Sequence, residues 1–381
     1  MSSERCFVRQ KTKSPRRERT DALVFLQNLA GGGAERVLLA LAAGLAGRSV
    51  SVQLLLIRAE GAYLRQVPSQ LDCSVLGPAR TREVLPALVR RLRQQRPRWL
   101  VTGLTHVNLV GIAARRLALS DTRALITEHN QIGAGGQVPG GVWARRLMPL
   151  LYPLSDEIVA VSRGVGVDVA RAARLSAERV RVIYNPIVSG RIAALAAQGA
   201  CHPWVANGGP PLVLGVGRLV PQKDFATLLR AFARVRAYRS VRLAILGEGP
   251  QRDRLMLLAQ ELGIHKDLLL PGFVTNPFAW LGRASLFVLS SAWEGLPTVL
   301  IEALACGTPV IATDCPHGPR EILENGAVGP LVPVGDSVKM ADAIHRMLDA
   351  PIDRSRLLER AAAFHEDRAV ETYHQILTGG T

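Results

Sequence analysis

Several features that define other protein classes are missing from this 381-residue chain. It has no run of 18 uncharged apolar residues, which disfavours a membrane-spanning helix. Its five cysteines are odd in number and lack metal-site spacing, so we expect a reduced, cytoplasmic protein. Aromatic residues make up only 5% and are not interleaved with basic residues. Nucleic acid is therefore not the expected partner.

Two short patterns with known chemistry are also missing. No Asp-x-Asp occurs, which disfavours a carboxylate-held metal ion on a nucleotide diphosphate. No Gly-x-Ser-x-Gly or similar nucleophile motif is present. We therefore expect a site that works without a metal and without a cofactor.

Acidic residues are scarce in the first half of the chain. Residues 21–195 hold 22 basic and 11 acidic residues, whereas residues 196–381 hold 18 of each. An Arg-rich proteome would explain the excess of arginine over lysine but not the imbalance between the halves. The pattern predicts a basic N-terminal domain that faces an anionic surface, such as lipid headgroups or a lipid-linked diphosphate.

Apolar runs alternate with helical patterns along most of the chain, which is typical of parallel, doubly wound α/β sheets. The strand-like runs are 21–28, 50–57, 71–76, 99–104, 124–128, 157–161, 212–217, 241–246, 268–270, 285–290 and 310–313. We predict a fold of two Rossmann-like domains facing each other across a ligand cleft.

The composition suggests where these domains begin and end. Residues 1–20 are polar and basic and are predicted to be a disordered tail. Residues 201–211 are rich in Pro, Gly and Asn and are the predicted linker between domains 21–200 and 212–355. Helical patterns fill the last segment, 356–381.

The most informative stretch is residues 291–309, SAWEGLPTVLIEALACGTP. Pro297 suits the first helical turn, which places Glu294 before a helix and Glu302 about one and a half turns inside it. The N–H groups and dipole of such a helix favour an anion. Because a buried strand precedes this stretch, it lies at a sheet edge where α/β proteins bind ligands. The alternative for the acidic pair is a solvated helix face.

Two cations follow the first strand of the second half. Arg218 ends that strand after Gly217, and Lys223 precedes a helix. A guanidinium and an ammonium so placed could bracket a diphosphate. The pattern lacks the Gly-Lys-Ser/Thr of a P-loop, and the alternative is a pair of solvated side chains.

Two further candidates lie in the first half. Residues 31–33 are three glycines after the first strand, which would let a ligand approach the backbone closely, or would simply form a turn. His129 follows a strand and is suited to bind a sugar hydroxyl or a transferring proton; the alternative is a structural histidine.

Over residues 21–377 the sequence resembles glycosyltransferase family 4. The resemblance is carried by GGGAERV (31–37), TEHN (127–130), GVGRLVPQKDF (215–225), LGEGP (246–250), PGF (271–273), WEGLPTVLIEALACGTPVIATD (293–314) and GPREIL (318–323). The family's members are retaining, nucleotide-sugar-dependent enzymes of the two-Rossmann-domain B fold. The similar bacterial members build capsule, exopolysaccharide, lipopolysaccharide or lipid-linked oligosaccharide.

The resemblance implies roles for the matching residues. Glu294 would contact donor-sugar hydroxyls, Glu302 the ribose, and Arg218 and Lys223 the diphosphate, with His129 near the donor sugar. The remaining nucleotide-sugar contacts would come from Gly32, Gly33, Gly217, Gly272, Phe273, Gly295, Leu296, Pro297 and Thr298. The C-terminal helix would return to brace the first domain.

The predicted function is therefore that of a glycosyltransferase, which moves a hexose or N-acetylhexosamine from a nucleotide-diphosphate sugar to a lipid-linked or polysaccharide glycan. Its partners would be a nucleotide sugar, a glycan acceptor and, through the basic domain, the anionic inner face of the plasma membrane. The alternatives are a sugar-nucleotide epimerase or phosphorylase on the same fold, and a non-catalytic nucleotide-sugar or membrane-binding module. The epimerase would form no acceptor-dependent product.

Overall fold

The computed structural model describes residues 19–30, 33–77, 81–130, 132, 141–199, 202–205 and 209–379. Most of the predicted tail, Gly32 and parts of the predicted linker lie outside these residues. The chain forms two compact units, Met1–Pro186 with Glu366–Thr381, and Ile187–His365.

The secondary structure alternates between strand and helix. The strands are β1 Ala22–Leu26, β2 Val52–Leu56, β3 Asp72–Val75, β4 Trp99–Gly103, β5 Arg123–Glu128, β6 Glu157–Ala160, β7 Arg181–Val182, β8 Leu212–Val216, β9 Arg242–Leu246, β10 Leu268–Gly272, β11 Leu286–Leu289, β12 Val310–Thr313 and β13 Leu331–Val332. The helices are α1 Gly33–Ala46, α2 Leu85–Gln95, α3 Thr105–Ala118, α4 Gly141–Leu151, α5 Arg163–Ala173, α6 Arg191–Ala197, α7 Phe225–Arg236, α8 Arg252–Glu261, α9 Phe278–Leu281, α10 Thr298–Ala305, α11 Pro319–Ile322, α12 Ser337–Asp349, α13 Arg354–Ala362 and α14 Glu366–Thr378.

The first unit is built on one parallel sheet with the strand order β3-β2-β1-β4-β5-β6-β7. Its central strands are buried along their whole length, as expected where helices cover both faces. The order reverses between β1 and β4, and such a reversal opens a crevice at the carboxyl ends of the strands.

The C-terminal helix α14 belongs to the first unit. It packs on α1, where Val370 lies against Gly44 so closely that a Cβ there would be 2.6 Å from a Val370 methyl carbon. The Trp99 indole N–H donates to the carbonyl oxygen of Leu377 over 3.0 Å. These contacts hold the end of the chain against strand β4 and helix α1.

The second unit repeats the plan with the parallel order β10-β9-β8-β11-β12-β13. Its core packs α7, α8 and α12 against the sheet through buried residues such as Phe232 and Ile344. The order reverses between β8 and β11, so the loops after these two strands share one edge of the sheet. Two α/β units on parallel sheets confirm the predicted fold class.

The boundary between the units differs from the predicted one. The division falls between Pro186 and Ile187, ahead of the predicted linker 201–211. The reason is α6, which packs on α9 in the second unit. There the amide of Asn276 donates to the carbonyl oxygen of Leu195 over 2.9 Å. A Pro- and Gly-rich composition marks flexible backbone, but packing decides which unit a segment joins.

Among the described residues, none of the helices combines the length and the apolar character of a bilayer-spanning segment.

Candidate active site

Two loops meet at the carboxyl edge of the second unit's sheet. The loop after β8 carries Lys223 and the loop after β11 carries Glu294. The Lys223 ammonium donates to Glu294 Oε1 over 2.6 Å, with side chains 16% and 8% exposed. This pair joins residues 71 positions apart in the chain. It places a cation and a carboxylate at the point where the strand order reverses.

Backbone contacts hold the two loops in register. The N–H of Ala292 donates to the Gln222 carbonyl oxygen over 2.8 Å, and the Gln222 side-chain amide donates to the Trp293 carbonyl oxygen over 3.0 Å. The Ser290 hydroxyl donates to the Lys223 carbonyl oxygen over 2.7 Å. Hydrogen bonds between the two loops therefore fix the positions of Lys223 and Glu294.

The lysine is positioned by the residues on either side of it. Asp224 has a left-handed backbone conformation and caps α7, accepting from the Thr227 N–H and hydroxyl over 3.3 and 2.6 Å. Gly217 lies beside the lysine stem, where a Cβ would be 3.1 Å from the Lys223 Cε. A larger residue at this position would push the lysine stem away.

Glu294 receives a second hydrogen bond from the serine in its own loop. The Ser291 hydroxyl donates to Glu294 Oε1 over 2.6 Å. The Ser291 carbonyl oxygen in turn accepts from the Thr313 hydroxyl over 2.5 Å. Oε1 therefore takes both donors, so the carboxylate is fixed through one of its two oxygens.

A buried thiol lies close to this pair. Burial raises the pKa of Cys315 to about 12, with a further upward contribution from the Glu294 carboxylate. The thiol therefore stays protonated at neutral pH and contributes packing rather than a nucleophile.

Helix α10 begins at Thr298, four residues after Glu294, and Leu296 between them is buried. Pro297 is the N-cap, one position before the predicted first turn: its ψ of 101° is extended, and its carbonyl oxygen accepts from the Leu300 N–H over 3.1 Å. Thr298 is the first helical residue and Glu302 the fifth, buried at 3% exposure. Both carboxylates thus belong to one loop-helix element, as predicted.

The loop before α10 is held in place by a second close contact. Gly318 has φ of +82°, and a Cβ on it would be 2.5 Å from the Pro297 ring and 3.0 Å from the Gly295 carbonyl oxygen. Only glycine allows this approach. The first segment after β12 therefore supports the N-terminus of α10.

The other residues predicted for the second unit lie around the carboxyl edge of its sheet. Arg218 is exposed, and its guanidinium makes no hydrogen bond or ion pair with the described residues. Gly272 ends β10, and the exposed ring of Phe273 follows it. The Phe273 N–H donates to Glu248 Oε1 over 3.4 Å.

In the first unit, the structure adds a cluster that the sequence did not indicate. Glu128, the last residue of β5, is fully buried. Its Oε1 accepts from Asn108 over 2.9 Å and from the Tyr152 hydroxyl, and its Oε2 accepts from the Thr105 hydroxyl over 3.1 Å. Burial raises the pKa of Glu128 to about 7, against the lowering effect of these hydrogen bonds.

His129 is buried beside this cluster. The Thr127 hydroxyl donates its proton to the Thr102 carbonyl oxygen over 2.9 Å, so it accepts from His129 Nε2–H, also over 2.9 Å. The other ring nitrogen, Nδ1, is then a lone-pair acceptor, and it has no partner among the described residues. Burial lowers the pKa of His129 to about 4, so the ring is neutral at pH 7. Gly33, also predicted for the site, is the exposed first residue of α1.

Replacing Glu128 by glutamine should change how stability depends on pH. The raised pKa of Glu128 favours folding below pH ~4.5, and this contribution is lost as the pH rises through about 7. The lowered pKa of His129 has the opposite effect, since stability is lost as the pH falls from about 6.5 through 4. In the wild type the two slopes offset one another.

With Glu128→Gln only the histidine slope remains. Relative to wild type, the free energy of unfolding of this variant should rise by about 3 kcal/mol between pH 4 and pH 7, measured by urea unfolding. His129→Gln is the matched variant and should show the opposite slope. Identical pH profiles for wild type and Glu128→Gln would contradict this assignment.

No three His, Cys, Asp or Glu side chains of the described ranges cluster in the way a metal site requires. A metal-independent site stays a prediction.

Two family profiles match this chain in sequence. "Glycosyl transferases group 1" matches residues 202–364, and "Glycosyltransferase Family 4" matches residues 31–191. The first corresponds to most of the second unit and the second to most of the first. Between them they leave only the ends and a short connection unmatched.

Two named relatives are also glycosyltransferases. The N-acetylgalactosamine-N,N'-diacetylbacillosaminyl-diphospho-undecaprenol 4-alpha-N-acetylgalactosaminyltransferase of Campylobacter jejuni is 34% identical over 203 residues, 53% of each chain. The lipopolysaccharide core biosynthesis glycosyltransferase LpsE of Rhizobium meliloti is 34% identical over 52% of this chain and 57% of its own. The chain spans about half the length of the curated relatives it matches.

Solved structures share the fold. Anabaena HepE in complex with UDP and glucose superimposes with a TM-score of 0.75 at 21% identity, over 94% of this chain and 98% of its own. The lipopolysaccharide outer core galactosyltransferase WaaB, in its apo form, gives a TM-score of 0.73 at 18% identity, over 94% and 100%. Since both units, the motifs at their sheet edges and the two profiles agree, this chain belongs to glycosyltransferase family 4.

Proposed function

We propose that this chain is a retaining glycosyltransferase that moves a hexose or N-acetylhexosamine from a nucleotide-diphosphate sugar to a bacterial cell-surface glycan. The observation that carries the proposal is the pairing of Lys223 with Glu294 over 2.6 Å where the strand order of the second unit reverses. Binding a phosphorylated sugar there needs a cation for the phosphate and an acceptor for the hydroxyls, and this pair supplies both.

The leaving group sets the electrostatic task. A nucleoside diphosphate gains negative charge as the glycosidic bond breaks, so fixed cations stabilise the transition state more than the ground state. Lys223 is the partly buried cation, and the exposed Arg218 is the second. Together they would hold the diphosphate without a metal ion.

Glu294 would bind the donor sugar. Because Lys223 and Ser291 both bind its Oε1, its Oε2 is left for sugar hydroxyls. In this arrangement the same carboxylate orients the lysine and accepts from the sugar. A small displacement of Glu294 would therefore disturb both contacts.

The other candidate residues are proposed to contact the remaining parts of the donor. Glu302 would bind the ribose hydroxyls, and N–H groups at the start of α10, from Gly295 to Thr298, would add donors to the phosphate. Gly272 and Phe273 would lie by the base. In the first unit, Gly32 and Gly33 would approach the phosphate, and His129 Nδ1 would accept from a donor-sugar hydroxyl.

The acceptor is proposed to be a lipid-linked or polysaccharide glycan. Supporting this, the Campylobacter relative is named for a diphospho-undecaprenol acceptor and LpsE for lipopolysaccharide core synthesis. We place the enzyme at the cytoplasmic face of the inner membrane, attached through its basic N-terminal unit, where residues 21–195 hold twice as many basic as acidic residues.

A thermal-shift screen tests the donor site. Purified protein is heated with UDP, GDP, ADP or CMP and their common sugars, without metal. Nucleotides with one particular base should raise the melting temperature, because a ligand that binds only the folded protein stabilises it. The result would identify the base of the donor. Transfer to extracted lipid-linked glycans, followed by mass spectrometry, then separates a transferase from an epimerase. No shift with any nucleotide, with or without Mg²⁺, would contradict a preformed donor site.

A further inference from the structure

The side chain of Glu248, in the turn after β9, lies beside the segment that is proposed to contact the base of the donor. We infer that Glu248 selects this base. Its carboxylate accepts from a ring N–H at the Watson–Crick edge, which uracil and guanine carry and adenine and cytosine lack. The role rests on the proposed function, which puts a nucleotide beside Gly272 and Phe273 but leaves its base open.

The turn that carries Glu248 is packed directly on the loop after β8. Gly247 has φ of +137°, and a Cβ on it would be 2.0 Å from the carbonyl oxygen of Gly217. A Cβ on Gly249 would be 2.4 Å from the carbonyl oxygen of Leu219, whose N–H donates to the Glu248 carbonyl oxygen over 2.8 Å. Only glycine fits on either side of Glu248, so the backbone at this position is fixed.

The same turn is joined to the end of β10. The Gly247 N–H donates to the Gly272 carbonyl oxygen over 2.8 Å. Gly272 has φ of +85°, and a Cβ on it would be 3.2 Å from Glu248 Oε1. The Phe273 N–H donates to this oxygen over 3.4 Å. The carboxylate therefore lies against the space that a side chain on Gly272 would fill, directly beside Phe273.

Most of the hydrogen-bonding capacity of this carboxylate is still available. Glu248 is exposed, and within the described part of the chain its carboxylate forms no ion pair and accepts only from Phe273. An ionised carboxylate has about four lone-pair sites and no donor. Oε2 can therefore accept from a ligand while Oε1 keeps the Phe273 N–H.

Phe273 adds an aromatic surface next to the carboxylate. Its ring is 57% exposed, whereas phenylalanine is one of the residues most often buried. Bases bound outside a duplex commonly stack on aromatic side chains and use their Watson–Crick edge for hydrogen bonds. Every base has a π-face, so stacking does not choose among them. The choice falls to the polar group beside the ring, which is Glu248.

The four bases differ at the ring nitrogen of the Watson–Crick edge. Uracil N3 and guanine N1 carry a hydrogen that can be donated to Glu248, and the guanine amino group can donate to the second carboxylate oxygen. Adenine N1 and cytosine N3 carry a lone pair instead. Their amino groups can also donate to a carboxylate, but the neighbouring lone pair then lies against a negative oxygen. A site that accepts from an N–H discriminates strongly against a base without it.

Isothermal titration with GDP, UDP, ADP and CDP tests this selection, because the four ligands share the diphosphate and the ribose. Wild-type protein should bind UDP or GDP about 100-fold more tightly than ADP and CDP. Phe273→Ala should weaken the binding of each nucleotide by a similar factor, about ten-fold, because stacking on the ring is lost.

Glu248→Gln separates base selection from a role in holding the loop. Glutamine keeps one oxygen for the Phe273 N–H but replaces the other oxygen by an amino group that donates. Binding of the preferred nucleotide should weaken about 20-fold, since a hydrogen bond to a charged group is lost, and binding of ADP and CDP should strengthen about five-fold. Glu248→Ala should show the loss without the gain. Glu261→Gln, on an exposed carboxylate of α8, is the matched control and should leave all four affinities unchanged.

The outcomes distinguish base selection from the proposed function. A wild-type preference for ADP or CDP would overturn the role of Glu248 while leaving the donor site standing. Wild-type affinities in Glu248→Gln would show that the carboxylate only holds Phe273, and equal losses for all four nucleotides in that variant would also overturn base selection. Binding of none of the four nucleotides by folded wild-type protein would contradict the proposed donor site itself, and the base selection with it.

Discussion

Replacing Lys223 by alanine should lower the turnover number for sugar transfer about 1,000-fold. The ammonium is the partly buried cation where the strand order reverses, and it lies 2.6 Å from Glu294 Oε1. Its loss removes positive charge from the site where the diphosphate leaves and frees the carboxylate that the sugar would contact. Steady-state kinetics with the donor identified by the thermal-shift screen would measure the change.

Measurements of the free energy of unfolding distinguish a loss of catalysis from a loss of folding. Removing one partner of a buried ion pair costs about 3 kcal/mol, because the other charge is left unpaired. The double variant Lys223→Ala/Glu294→Ala should therefore be more stable than Lys223→Ala while remaining inactive. Lys266→Ala, on an exposed lysine of the same unit, is the control and should have wild-type activity and stability. Near-normal turnover in folded Lys223→Ala would remove this lysine from the mechanism.

Replacing Glu294 by alanine should lower kcat/KM for the donor sugar by a similar factor, about 1,000-fold. Here the expected loss is in orienting the sugar, since the Oε2 available to its hydroxyls disappears and Lys223 loses its anchor. Binding of the free nucleotide diphosphate, which carries no sugar, should change less than ten-fold. Isothermal titration with nucleotide and with nucleotide sugar separates the two effects.

Two matched variants sharpen this test. Glu294→Gln keeps one oxygen for Lys223 and Ser291 and should retain more activity than the alanine variant. Glu261→Ala removes an exposed carboxylate from α8 and should have no effect. If Glu294→Ala weakens the nucleotide and the nucleotide sugar equally, the carboxylate does not contact the sugar.

Most of the candidate residues of the second unit could be located from the sequence because they lie at strand ends. Buried apolar runs identified β8 and β11, and residues just after such strands in a parallel sheet share one edge. Arg218, Lys223 and Glu294 could therefore be assigned to one edge before any coordinates. The start of α10 differed by one residue, since proline fixes φ but its ψ of 101° leaves it outside the helix.

The pairing within the site could not be predicted in this way. The sequence predicts separate partners for Lys223 and Glu294, the diphosphate and the sugar, because their contact depends on two loops that are 71 residues apart in the chain. Glu128 directly precedes the candidate His129, and a carboxylate that ends an apolar strand is a usable signal for a buried polar cluster. Its partner Tyr152 follows a different helix, and nothing local indicates that contact.

The unit boundary shows a similar limit. Composition identifies the Pro- and Gly-rich segment 201–211, but the division at Pro186 depends on the packing of α6 against α9 of the second unit. By contrast, the helical patterns of the last segment, 356–381, correspond to α13 and α14. Periodicity identifies helices, whereas the partner of a helix depends on tertiary contacts.

A crystal structure of the protein with the nucleoside diphosphate selected by the thermal-shift screen tests the central claim most directly. We predict phosphate oxygens within hydrogen-bond distance of the Lys223 ammonium and the Arg218 guanidinium, with the ribose at Glu302. The Lys223–Glu294 contact should persist or lengthen as the ammonium turns to the phosphate. A nucleotide bound elsewhere, with Lys223 and Glu294 paired as before and no density beside them, would contradict the proposed donor site.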